Sequence, residues 1–268
     1  NPHLGTIAIG HEALSDLTTG GNNVSIGRSN LRYNVTGSSN VAVGTYSMQG
    51  ASGQSHSGNT AVGHGTLYAI TTGGNNVAVG ASSGDALTTG SENVLLGYQA
   101  GVSLNTQARN IMIGYQSGFN IQGSAADDNV FVGYFAGGNG EADDDTSNTA
   151  TDNVAIGSYS MGENQGNTAD HFTAASNVAV GYKSLKEISS GTDNVAIGYE
   201  AMATNTAGQY NTAVGYKSLY TANENDNDGS VAIGYDALRL KAGTGGAQYN
   251  TTSTAVGFQA GALESTGG

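Results

Sequence analysis

The segment Asn177-Val178-Ala179-Val180-Gly181-Tyr182-Lys183-Ser184-Leu185 returns 17 residues later as Asn194-Val195-Ala196-Ile197-Gly198-Tyr199-Glu200-Ala201-Met202. It returns again as Asn211-Thr212-Ala213-Val214-Gly215-Tyr216-Lys217-Ser218-Leu219. An internal repeat governs the reading of a fold, because each copy is one supersecondary unit that must bury its apolar face against its neighbours. Outward from this stretch, the core Asn-Val-Ala-Val-Gly or a near relative occurs fourteen times. The copies close at Gly10, Gly27, Gly44, Gly63, Gly80, Gly97, Gly114, Gly133, Gly157, Gly181, Gly198, Gly215, Gly234 and Gly257. The intervals are 17, 17, 19, 17, 17, 17, 19, 24, 24, 17, 17, 19 and 23 residues, so the base period is 17 with insertions of two to seven.

Each position of the core has a physical reading. Apolar, small, apolar alternation over β-branched residues is a short strand with two side chains on one face. Three such residues cannot bury that face alone, so successive copies must stack. The middle position looks the other way. It is Ala or Ser in eleven copies, Ala42, Ala78 and Ala196 among them, and bulky in Leu95, Met112 and Phe131. A solvated face would be polar, so this position is expected to line a second packed surface, close against another sheet or another chain. The bulky trio then marks a local widening or fills a gap.

Asn opens eleven of the fourteen strands, as at Asn23, Asn76 and Asn194. Asn tolerates a left-handed backbone and its amide bonds locally, which suits a corner. Stacked in register, these residues are also expected to form an amide ladder. The closing Gly, as at Gly27, Gly80 and Gly198, permits a positive φ at the opposite corner. A small residue and then Leu, Met or Gly follow, and polar turns such as Thr71-Thr72-Gly73 complete the period. The reading is all-β: a single parallel β-solenoid over residues 1–268, of about fourteen 17-residue coils.

Composition agrees. Of 268 residues 43 are Gly, one is Pro and none is Cys, while charged residues make up only 11%. Without Cys there are no disulfides, thiolate metal sites or cysteine nucleophiles. No apolar run approaches the roughly 18 residues of a membrane span, and the N-terminal residues present no basic n-region. The net charge of −13 disfavours nucleic acid and anionic membrane as partners.

The unit Asn211–Leu219, with its siblings Asn177–Leu185 and Asn194–Met202, resembles the head repeats of trimeric autotransporter adhesins and the similar repeats of phage tail-fibre shafts. The resemblance covers essentially the whole chain, and departs from the adhesin form in its longer period. It implies a left-handed parallel β-roll, laterally associated as a homotrimer, on a cell surface or virion. Ala42, Ala78, Leu95, Met112, Phe131 and Ala196 would then pack at the interface between chains. A second copy placed after Gly268 would give an interval of 21 residues to its first corner glycine, inside the observed range. End-to-end stacking into a filament is therefore also expected, with a piece of a longer fibre as the alternative.

Chemistry-bearing groups are sparse. The five histidines are scattered and expected at the surface or in turns, and neither a nucleophile elbow nor a phosphate loop is present. Two acidic insertions place carboxylates at alternate positions: Asp143 and Asp145 in one, Asp226 and Asp228 before Gly229 in the other. Oxygen ligands so spaced suit Ca²⁺, and equally suit solvated loops. Tyr98, Tyr115, Tyr134, Tyr182, Tyr199, Tyr216 and Tyr235 each follow a corner Gly, forming a ladder for packing between coils or for stacking on a glycan. Asn23, Asn34 and Asn250 open glycosylation sequons. The expected protein is an extracellular structural fibre subunit with an adhesive role and no catalysis or cofactor beyond Ca²⁺. A trimeric adhesin or tail-fibre receptor-binding segment is the runner-up. An ice-binding solenoid would need a flat Thr array, whereas these threonines crowd into turns, and a polysaccharide depolymerase would need a carboxylate cleft.

Overall fold

In the computed structural model, which describes residues 4–138, 148–162, 172–222, 228–241 and 252–262, the chain is a parallel β-solenoid without a helix among the described residues. It divides into two compact units built from the same repeat, Asn1–Asp128 and Asn129–Gly268. The first unit carries β1 (Ile7–Ile9), β2 (Val24–Ile26), β3 (Val41–Val43), β4 (Thr60–Val62), β5 (Val77–Val79), β6 (Val94–Leu96) and β7 (Ile111–Ile113). The second carries β8 (Val130–Val132), β9 (Val154–Ile156), β10 (Val178–Val180), β11 (Val195–Ile197), β12 (Thr212–Val214), β14 (Val231–Ile233) and β16 (Thr254–Val256). A small second ladder in that unit pairs β13 (Thr221–Ala222) with β15 (Leu240–Lys241).

Within each unit the strands pair in parallel and in register, one repeat apart. Val178 stands opposite Val195, Ala179 opposite Ala196 and Val180 opposite Ile197. Where the interval stretches to 24 residues the register is unchanged, Val130 facing Val154, so the extra residues leave the ladder at the turn.

The corner glycine is doubly required. Gly198 has φ +137°, open only to Gly, and a Cβ there would lie 2.3 Å from the carbonyl oxygen of Gly215 in the next coil. Gly27 and Gly80 repeat both features. The left-handed residue at the opposite corner is the one before the ladder Asn: Asn22, Ser39, Asn75, Glu92 and Asp193 lie at φ 57–62°. The segment after the glycine is not a strand. Its second and fourth residues are left-handed, as in Lys183 (φ 56°) and Leu185 (φ 48°) or Lys217 and Leu219 (both φ 49°). Each donates its N–H to a neighbouring coil: Lys217 to Tyr199 O at 2.9 Å, Leu219 to Ala237 O at 2.9 Å. No Val, Ile or Thr occupies these two positions in any copy, as the steric cost of a β-branched side chain at positive φ requires.

The core corrects the expected facing of the strand. The middle residue points inward: Ala42, Ala78, Leu95, Met112, Phe131 and Ala196 are all fully buried within the single chain. A side chain with no accessible surface in its own chain cannot touch another, so these six residues are not an inter-chain interface. They meet the fourth residue after the corner glycine, such as Leu67, Leu185 or Met202, and the residue before the polar turn, such as Leu87, Leu104, Ile121 or Ile188, all buried.

The bulky trio fills a gap, as one of the two expected readings holds. Where the middle residue is Ala, the fourth position is usually Leu or Met. Beside Leu95, Met112 and Phe131 it is Gly101, Gly118 and Gly137. A Cβ on Gly118 would fall 2.2 Å from Met112 Sδ, and one on Gly137 would fall 2.3 Å from the Phe131 ring. Volume moves from one side of the core to the other and the total is kept, the substitution pattern that packed cores tolerate best.

Candidate functional surfaces

Three surfaces answer to the sequence reading: a buried amide ladder, an aromatic stack and the outer face of the strands. The ladder follows from the corner geometry, because the strand behind each Asn holds successive amides one strand spacing apart. In the second unit Asn153 Nδ2 donates to Asn129 Oδ1 at 3.1 Å, Asn177 to Asn153 at 3.1 Å, Asn194 to Asn177 at 2.9 Å and Asn211 to Asn194 at 3.1 Å. Each Oδ1 also accepts the backbone N–H of the residue opening the next strand, and Asn129, Asn153, Asn177 and Asn194 also reach a turn carbonyl through Nδ2, as Asn194 does to Gly208 O at 2.7 Å. In the first unit Asn23, Asn40, Asn59, Asn76 and Asn93 do the same. All are buried, so the sequons at Asn23 and Asn34 are closed to modification in the folded chain. Asn250 lies outside the described residues.

The tyrosines stack on one another. Tyr182, Tyr199, Tyr216, Tyr235 and Phe258 form a continuous run with centroids 4.9–5.2 Å apart and planes within 7–24°. In the first unit Tyr98 and Tyr115 stack at 5.3 Å and 19°. Tyr134 instead meets Tyr159 edge-on, at 66°. Packing between coils is therefore what the rings do. Inside the run each ring face is covered by the next ring, so a sugar would meet hydroxyl-bearing edges rather than the faces on which sugars stack. Lys217 Nζ lies 5.5 Å from the Tyr216 ring and pairs with Glu200 at 3.1 Å, which holds the ammonium pKa up. The Tyr199 phenol is pushed up too, by desolvation among its neighbours and then by the charge of Glu200.

The aliphatic residues flanking each middle position face outward. Ile26, Val62, Val77, Val79 and Ile111 in the first unit, and Ile156, Ile197 and Ile233 in the second, are 36–41% exposed. A solvated sheet face carries polar residues. Here both outward columns are Val, Ile or Leu except at Thr60, Thr212 and Thr254. Seven rungs at about 4.8 Å and two columns about 7 Å apart give each unit a flat apolar strip of roughly 450 Å² with its margins. That is within the size range of the largest apolar patches of monomers, which are often functional. The strip was legible in the alternation once the middle residue is placed inside.

The remaining candidates are dispersed. Asp228 is exposed and accepts the backbone N–H of Gln209 at 2.7 Å; Asp143, Asp145 and Asp226 lie outside the described residues. Among the described residues no three His, Asp or Glu side chains cluster as a metal site, and no helix is long and apolar enough to cross a membrane. Turn threonines bond across coils, Thr18 Oγ1 to Val35 O and Thr71 Oγ1 to Thr88 O, both at 3.0 Å, and do not form a surface array. One histidine departs from expectation. His56, in a turn insertion, is buried with no partner for either ring nitrogen, and burial lowers its pKa to about 4. Comparison of the chain with protein-family models, curated proteins and solved structures gives no match.

Proposed function

We propose that the chain is a structural rod segment of an extracellular fibre, of the adhesin or phage tail-fibre kind, which associates laterally with copies of itself, as a trimer, through the outward Val and Ile columns. The carrying observation is that strip, aliphatic at every rung and 36–41% exposed at one or both positions of seven inner rungs, where a solvated sheet would be polar. Roughly 450 Å² in each unit is a little over half of the roughly 800 Å² that one partner contributes to a standard interface. The work of such a protein is length, stiffness and a repeated surface. Catalysis has no part in this reading, and the acidic turns serve solubility rather than Ca²⁺ binding. Continuation of the strand ladder by a further copy is its longitudinal form, and loops or tyrosine edges would supply adhesive contacts.

Sedimentation equilibrium of the purified chain tests the lateral mode. The wild type is expected to be a trimer, and Ile26→Lys with Ile197→Lys a folded monomer by circular dichroism. Val→Thr changes at Val77 and Val195, which copy the Thr already present at other rungs, should weaken the trimer without unfolding. A wild type that stays monomeric at high concentration refutes the lateral mode. A heat of binding in calorimetric titration with Ca²⁺ would return the acidic turns to metal binding.

A further inference from the structure

The stacked tyrosines are arranged for a covalent reaction. Four consecutive phenols, Tyr182, Tyr199, Tyr216 and Tyr235, stand in one column, 38–44% exposed, with centroids 5.2, 5.2 and 4.9 Å apart and planes within 24°, 10° and 7°. Two nearly parallel rings related by a translation carry every atom the same distance. Each Cε ortho to a hydroxyl therefore lies about 5 Å from its counterpart on the next ring. Backbone pairing fixes that spacing, since Tyr199 O accepts from Lys217 N and Tyr216 O from Asp236 N, both at 2.9 Å. Phe258 ends the run with a ring that has no hydroxyl to lose.

We propose that this column is a site of oxidative tyrosine coupling, in which a peroxidase-type oxidant with hydrogen peroxide joins adjacent rungs by dityrosine bonds within one chain. Each of two neighbouring tyrosines gives up its phenolic hydrogen, as an electron to the oxidant and a proton to solvent water. The two phenoxyl radicals carry spin at Cε and combine there in a new carbon–carbon bond. The hydrogens on the two joined carbons then move to the oxygens, restoring both phenols. The chain loses two hydrogen atoms per bond and one peroxide is reduced to two waters. The product staples coil to coil along the solenoid. It requires only the fold of one chain and is independent of lateral association.

The test treats dilute full-length protein with horseradish peroxidase and hydrogen peroxide, followed by blue dityrosine fluorescence, intact mass and peptide mapping. Expected are monomer-sized products lacking two hydrogens per bridge, with cross-links mapping to 182–199, 199–216 and 216–235. The equally stacked pair Tyr98–Tyr115 should couple as well. Tyr210, 62% exposed and outside the stack, should contribute few intrachain links. Tyr216→Phe keeps a stacking ring, so the fold survives. It should abolish the 199–216 and 216–235 bridges and leave 182–199. Coupling that is mainly between chains, or that follows exposure so that Tyr210 dominates, overturns the proposal, as does retention of all fluorescence in a Tyr199→Phe, Tyr216→Phe variant.

Discussion

Replacing Asn194 by Ala asks how much the buried amide ladder contributes to stability. The Asn194 side chain makes four hydrogen bonds: Nδ2 to Asn177 Oδ1 at 2.9 Å and to Gly208 O at 2.7 Å, and Oδ1 from the Asn211 N–H at 3.0 Å and Asn211 Nδ2 at 3.1 Å. Truncation leaves Asn177 Oδ1 its bond from the Asn194 N–H at 3.0 Å. It strips the acceptor from the buried Asn211 N–H and Nδ2, and leaves Gly208 O with only a 3.5 Å contact from Asn205. A buried polar group deprived of its partner costs about 1–3 kcal/mol. A water molecule in the vacated volume would offset part of that for two of the three groups. The expected loss is about 3–5 kcal/mol.

Asn194→Ser separates the terms. The chain already places Ser230 in the ladder, where its N–H donates to Asn211 Oδ1 at 2.9 Å and its Oγ accepts from Ser253 N–H at 3.3 Å. A Ser at 194 keeps an acceptor for Asn211 and loses chiefly the bond to Gly208, for about 1–2 kcal/mol. Urea unfolding followed by far-ultraviolet circular dichroism gives the ranking. Hydrogen exchange by mass spectrometry shows whether the loss is centred on β10, β11 and β12, as nearest-neighbour coupling in a solenoid requires. A loss below about 1 kcal/mol for Ala, or a Ser variant no better than Ala, would refute the assignment of stability to the ladder.

Two further outcomes follow from the core. Met112→Ala should cost about 2–5 kcal/mol and Gly118→Leu alone should strain the core. The double variant should recover most of the loss, because Ala in the strand with Leu or Met at that position is the arrangement of eight of the other thirteen coils; additivity in a double-mutant cycle would contradict the volume exchange. His56 is neutral in the folded chain with its pKa lowered to about 4, against 6.5 when unfolded, so the unfolded state binds the extra proton between those values. Stability should fall by about 3 kcal/mol as pH drops from 6.5 to 4 and level off below. His56→Leu should remove that slope, measured as the difference from wild type in urea midpoint across the range.

The period, the short parallel strands, the glycine corners and the amide ladder were legible in the sequence because each is a local rule repeated in register. What alternation could not supply was its sign. Val178-Ala179-Val180 states that two faces differ, and the usual rule sends the larger apolar side chains inside. Coil volume reverses it here. A 17-residue coil closes around three inward side chains, and with Leu185 and Ile188 already in place only an Ala fits opposite them. The sequence held a signal for this in Leu95 with Gly101, Met112 with Gly118 and Phe131 with Gly137, where two positions six residues apart exchange bulk as facing side chains must. Once the middle residue fills the interior, two aliphatic columns are left on the outside, partly covered within the chain but still 36–41% exposed at several rungs. The area left exposed adds nothing to the fold of the chain itself. At about 25 cal/mol per Å² it can stabilise only what comes to lie against it. The lateral partner proposed above therefore belongs at the opposite face from the one those small residues mark.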